Sequence, residues 1–97
     1  MRSIRWTSLA KLDFQENIEF LLNKWSVNVA QDFVDEVLST EFILRQGNID
    51  FQNTNIPNVK GCVLCKQIVL FYRILDDGDI EFLRFWNSYR DDSKLRY

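Results

Sequence analysis

The sequence contains no histidine. That absence removes imidazole general bases, Ser-His-Asp and Cys-His nucleophile systems and His-ligated metals. Any chemistry must come from carboxylates, Lys, Arg, Tyr, Ser or Cys. A zinc site is excluded as well, because the two cysteines have no second pair beside them and such a site needs four ligands. No apolar run reaches the roughly 18 residues of a membrane-spanning helix. The start, Met1-Arg2-Ser3-Ile4-Arg5-Trp6, lacks the apolar stretch of a signal peptide. A cytoplasmic location without membrane contact is the expectation. A basic excess is missing too: 12 Lys+Arg stand against 14 Asp+Glu, a net charge of −2. Domains that bind nucleic acid over a whole surface release counterions from phosphates with an excess of cations, so binding to free DNA is not expected.

What is present suffices for a core. The 97 residues are 46% hydrophobic and include 3 Trp, 3 Tyr and 8 Phe. This supports one domain spanning residues 1–97, closed without disulfides, metal or cofactor.

The first half reads as a short strand and two helices. Ile4-Arg5-Trp6-Thr7 is an extended segment, and Thr7 or Ser8 can cap a helix by accepting from an exposed first-turn amide. From Leu9 to Lys24 the apolar residues Ala10, Phe14, Ile18, Leu21 and Leu22 recur three or four apart. Trp25-Ser26-Val27-Asn28 breaks this period, with Ser26 as a second cap. Ala30, Phe33, Val34, Val37, Leu38 and Leu44 then restart it through Arg45, and Gly47 supplies a stop. So short a break makes the helices antiparallel. Asn48 to Asn58, with the only proline, Pro57, reads as a loop with Ile49, Phe51 and Ile56 tucked beneath it.

The second half changes period. Cys62–Cys65, Gln67–Leu75 and Ile80–Trp86 are dense in β-branched and aromatic residues. Asp77-Gly78 signals a hairpin in which both residues take the positive φ of a tight turn. The fold class is therefore α+β, in the order β-α-α-β-β-β, with a helix hairpin covering one face of a small antiparallel sheet. The sheet carries more apolar surface than one covering layer accounts for. By alternation, Val69 and Phe71 lie opposite Ile68, Leu70, Tyr72 and Ile74, and Phe82 and Trp86 lie opposite Leu83 and Phe85. The second face is covered by the chain's own loop and tail or by a partner.

Cys62-x-x-Cys65 lies in an apparent strand rather than at a helix N-terminus, where redox pairs sit. Residues i and i+3 of a strand point to opposite faces, so the two are read as separate buried thiols. Asp76, Asp77 and Asp79 are turn residues, since a calcium loop needs twelve residues and a closing Glu. Glu16, Glu19 and Glu36 are helix-surface charges. Cations are unevenly placed: residues 1–50 hold 5 against 8 acids, residues 51–97 hold 7 against 6, and Phe51 to Leu75 contains Lys60, Lys66 and Arg73 with no acid. With Arg84, Tyr89 and Arg90 nearby, a modest basic groove results, suited to phosphates, to an acidic peptide or to plain solvation.

The order strand, helix hairpin, three strands, together with Ile4-x-Trp6-Thr7, Ala10-x-x-Asp13-Phe14 and Phe20-Leu21-x-x-x-Trp25-Ser26, resembles the RelE/ParE superfamily of bacterial type II toxins. So do Ala30-x-x-Phe33, Cys62-Val63-x-x-Lys66-Gln67, Leu70-x-Tyr72-Arg73-Ile74 and Phe85-Trp86-x-Ser88-x-Arg90-Asp91-x-x-Lys94-Leu95. The Trp-Ser junction and the Tyr-Arg-Ile strand look most like the ParE-like, plasmid-stabilisation branch.

The resemblance implies a growth-inhibiting toxin held inactive by an antitoxin whose C-terminal segment wraps it by helix-in-groove contact and strand addition. Val69, Phe71 and Phe82 are the residues expected to meet that antitoxin. Two activities share the fold. RelE-like members cleave mRNA on the ribosome with Lys and Arg side chains and no metal, which implies Lys60, Lys66, Arg73 and Arg90, with Tyr89 as the alternative to Arg90. Cys62 and Val69 stand where a second lysine and a central-strand arginine would. ParE-like members instead bind DNA gyrase, which implies a target contact at Arg84, Trp86, Tyr89 and Arg90. The missing cations and the acidic balance favour binding over catalysis. A non-toxic binding module of the same fold is the third reading.

Overall fold

The computed structural model describes residues 2–47, 51–65 and 67–88. The elements follow in the order β1 (Ile4–Trp6), α1 (Ser8–Lys24), α2 (Val27–Gln46), β2 (Gln52–Asn53), β3 (Val59–Cys65), β4 (Ile68–Ile74) and β5 (Ile80–Asn87). This is the α+β arrangement the sequence predicts, with one further strand.

Local chemistry sets the helix ends. Thr7 Oγ1 accepts from the Ala10 N–H at 3.0 Å and Ser26 Oγ from the Val29 N–H at 3.1 Å, so each helix has one orphan donor satisfied at its start. Helix α2 stops at Gly47, whose φ of 74° only glycine adopts at little cost. With Trp25 and Ser26 alone between them, the helices pack side by side.

The sheet runs β1-β5-β4-β3-β2. Strand β1 pairs with β5 in parallel and the other neighbours are antiparallel, so the sheet is mixed and not wholly antiparallel as expected. Both helices lie on one face. Ala10, Leu21, Ala30, Phe33, Val37 and Leu44 close there on Cys62, Leu64, Ile68, Leu70, Tyr72, Ile80, Phe82 and Phe85. Phe14 sits among Trp6, Phe33 and Phe85, with ring centroids 5.2, 5.6 and 5.8 Å away.

Several sequence expectations need correction. Gln52 and Asn53, assigned to a loop, pair with Gly61 and Lys60 as β2. Of the residues expected beneath that loop, Phe51 is half-buried, with its N–H donating to the Tyr72 hydroxyl at 3.2 Å. Ile56 is exposed, and Ile49 lies outside the described residues. In the β4–β5 turn only Gly78 takes a positive φ, 89°. Leu75 N–H donates to Asp79 O and Gly78 N–H to Leu75 O, which makes a three-residue loop rather than a two-residue one.

Alternation also breaks twice. Tyr72 pairs with Phe82 but Phe71 pairs with Arg84, so Leu83 is an extra, bulged residue. Phe82 and Phe85 therefore face the helices together, whereas simple alternation put them on opposite sides. In β3, Val63 pairs with Val69 and Cys65 with Ile68, leaving Leu64 as the extra residue. Cys62 and Cys65 thus pair with Leu70 and Ile68, which share a face, and are not on opposite faces as predicted. Both are free thiols.

Candidate interaction surface

The face of the sheet turned away from the helices is built from β3, β4 and β5. Its cross-strand pairs are Gly61 with Phe71, Val63 with Val69, Val69 with Trp86, Phe71 with Arg84 and Arg73 with Glu81. Val63 is 68% exposed, and Val69 and Phe71 are half-buried. Gly61 leaves this stretch low. A Cβ there would stand 3.5 Å from Phe71 Cε1 and 3.7 Å from Val69 Cγ1, in ordinary contact. Strand β2 pairs only with Lys60 and Gly61, so among the described residues Cys62 to Cys65 have no strand on that side. The result is a shallow apolar strip beside an open main-chain edge, the combination that takes an extended segment.

Of the residues expected to contact an antitoxin, Val69 and Phe71 lie on this strip and Phe82 does not. Phe82 is fully buried on the opposite face, because the Leu83 bulge inverts the alternation between Phe82 and Trp86. Arg84 and Trp86, expected at an exposed contact, are buried at 7% and 4%. The Arg84 guanidinium is engaged by Asp13: Nε donates to Oδ2 at 2.6 Å and Nη2 to Oδ1 at 3.1 Å. Its Cζ lies 5.3 Å from the centre of the Trp86 ring. Tyr89 and Arg90 lie outside the described residues.

Of the cations implied by the ribonuclease reading, the two among the described residues, Lys60 and Arg73, do not converge. Lys60 pairs across the ladder with Tyr72, and Arg73 follows Tyr72 in β4, so pleating sends Lys60 and Arg73 to opposite faces. Lys60 Nζ donates to Asn53 Oδ1, and Arg73 Nη1 stands 3.9 Å from Glu81 Oε1. Lys66 and Arg90 lie outside the described residues.

Burial pushes the Cys62 thiol up to about 11, with the Glu36 charge adding to the rise and a Thr40 hydrogen bond opposing it. Cys62 is therefore a thiol at neutral pH and a poor nucleophile. Among the described residues no group of His, Cys, Asp or Glu is placed to hold a metal, and no helix is long and apolar enough to cross a membrane. A hollow of about 450 Å³ lined by Arg2, Ser3, Ile4 and Arg45 lies beside the C-terminal end of α2.

Sequence reasoning missed Asp13 and Asn17 as functional partners of β5. The signal was present: both are polar, four apart, and lie in the stripe of α1 that also buries Ala10 and Leu21. Polar residues in a core stripe are buried only when hydrogen-bonded.

A family model described as the ParE toxin of the type II toxin-antitoxin system, parDE, matches residues 4–92. Among solved structures, a chain from the chromosomal ParDE TA system of P. aeruginosa is similar with a TM-score of 0.72 at 19% identity, covering 90% of this chain and 96% of that one. A copper-bound mutant toxin from Helicobacter pylori is similar with a TM-score of 0.57 at 17% identity, covering 92% of this chain and 97% of that one. At these identities the structural likeness is one of fold. No curated protein matches the chain.

Proposed function

Because the chain belongs to the ParE toxin family of type II toxin-antitoxin systems, we propose that it inhibits bacterial growth by binding a protein target such as DNA gyrase, and that a cognate antitoxin neutralises it. The observation that supports binding over RNA cleavage is the separation of Lys60 from Arg73. Lys60 and Arg73 leave the sheet on opposite faces, and Arg84 is consumed by Asp13 in the interior. Metal-free phosphodiester cleavage needs several cations aimed at one phosphate.

The antitoxin segment lies along Val63, Val69 and Phe71, adding backbone bonds at the β3 edge. Its flanks are acidic, matching a stretch from Phe51 to Leu75 that holds cations and no acids. Tyr89 and Arg90 remain the contact residues for the target.

Expression of the chain alone, with and without the small reading frame beside its gene, tests the whole reading. Growth arrest relieved by the neighbour is expected, accompanied by DNA breaks. Cuts in translated message at the ribosomal A site would identify an endonuclease instead. Normal growth at good expression, with antitoxin binding retained, would identify a non-toxic binding module.

A further inference from the structure

Strand β1 is three residues long and pairs only with Ile80, Glu81 and Phe82. Beyond Phe82 no described strand lies beside the main-chain groups of Leu83 and Phe85 on the far edge of β5. A strand edge that no neighbouring strand covers invites pairing with another chain. Here Thr7, the cap of α1, and the side chains of Asp13 and Asn17 stand where a further strand would be. Thr7 N–H donates to Phe82 O at 3.1 Å, and Thr7 Oγ1 donates to Leu83 O at 3.0 Å. The Phe85 N–H donates to Asp13 Oδ2 at 3.1 Å, and the Phe85 carbonyl accepts from Asn17 Nδ2 at 2.9 Å. Asn17 Oδ1 in turn accepts from Asn87 Nδ2 at 3.2 Å.

The spacing explains the match. Asp13 and Asn17 are one helical turn apart and so lie on one face of α1, offering an acceptor and then a donor to the N–H and C=O of one strand residue. The carboxylate is held for this by Arg84, which engages both its oxygens.

We infer that Thr7, Asp13 and Asn17 form a side-chain substitute for a sixth strand, and that its function is to keep the β5 edge from pairing with β5 of a second copy of this chain. Main-chain addition is thereby confined to the β3 edge. The device is independent of the target and of the antitoxin.

Amide exchange and oligomeric state test it on the full chain. In the unaltered protein the Phe85 amide is expected to exchange at least about a hundredfold more slowly than an open amide. Exchange at the open rate would overturn the inference. The double variant Asp13→Leu/Arg84→Met removes the acceptor and the charge pair together while keeping volume. It is expected to fold, to release the Phe85 amide by about tenfold or more, and to self-associate with rising concentration. Asp13→Asn/Arg84→Gln, which keeps an acceptor for that amide, is expected to match the unaltered chain in oligomeric state. A folded Leu/Met variant no more associated than the parent overturns the inference. If that variant does not fold, Asn17→Ala, which spares the ion pair, frees the Phe85 carbonyl and removes the contact to Asn87 Nδ2, carries the test: weaker but measurable association supports the inference, and none overturns it.

Discussion

Asp13 and Arg84, 71 positions apart in the chain, meet as a two-point fork, with both carboxylate oxygens engaged and both residues out of water. Such a pair joins α1 to the middle of β5. Its net worth is modest, because desolvating two charges offsets much of their attraction. Breaking it is a different matter. Asp13→Ala takes the carboxylate from a buried guanidinium and is expected to cost about 3–5 kcal/mol, a fall in Tm of roughly 12 °C or more for a chain of this size. Arg84→Ala is expected to cost about as much, and the double variant less than the sum of the two, as a thermal-melt double-mutant cycle will show.

Phe33 and Phe42 occupy the same helix and provide a contrast in kind. Phe33 is almost fully buried among Phe14 and Phe85, whereas Phe42 is 66% exposed. Phe33→Ala is expected to cost about 3–5 kcal/mol. Phe42→Ala is expected to stay within about 0.5 kcal/mol. Urea titration of both variants checks the pair.

The apolar strip on the face away from the helices gives a prediction in cells. Val63→Lys places a cation where Val63 is already exposed, so folding should be little affected while an apolar contact is lost. Growth arrest by the variant is expected to persist while rescue by the antitoxin weakens by about tenfold or more in affinity, the scale of one lost anchor residue. Arrest assays paired with a binding titration separate the two.

The sequence carried the helices clearly and the sheet incompletely, for a physical reason. Helix period, the Thr7 and Ser26 caps and the Gly47 stop are local signals, and each is realised within a residue or two. The bulges at Leu64 and Leu83 are not local. Neither residue is a glycine or a turn former, and what fixes Leu83 as the extra residue is that Phe82 and Phe85 both pack under the helices. Alternation puts Phe82 on the wrong face for that reason alone. The burial of Arg84 and Trp86 has a different cause: an arginine looks exposed until its carboxylate is found, and Asp13 lies in another element. Val69 and Phe71 were legible as surplus apolar residues because β4 alternates regularly through them.

Cys62 gives a pH signature. Its thiol rises from an ordinary 9.0 to about 11 on folding, chiefly through burial. The folded state thus holds its proton where the unfolded chain has lost it. Below pH 9 the group adds no pH dependence. Between pH 9 and 11 it lowers stability progressively, by up to about 2–3 kcal/mol in all. Lysines and tyrosines titrate in the same window, so the difference between the parent and Cys62→Ala across pH 8–11 is the quantity to measure, and a flatter alkaline decline in the variant is expected.

Leu64 and Leu83 are also the points at which a residue could leave its strand without disturbing the faces. Removing Leu83 would make Phe82 and Arg84 neighbours opposite Tyr72 and Phe71, the ordinary alternation, so Phe85 would stay under the helices and Trp86 on the far face. Removing Leu64 would leave Val63 and Cys65 opposite Val69 and Ile68 in the same way. A deletion within the regular run of β4 has no extra residue to absorb it and would turn everything after it to the other face.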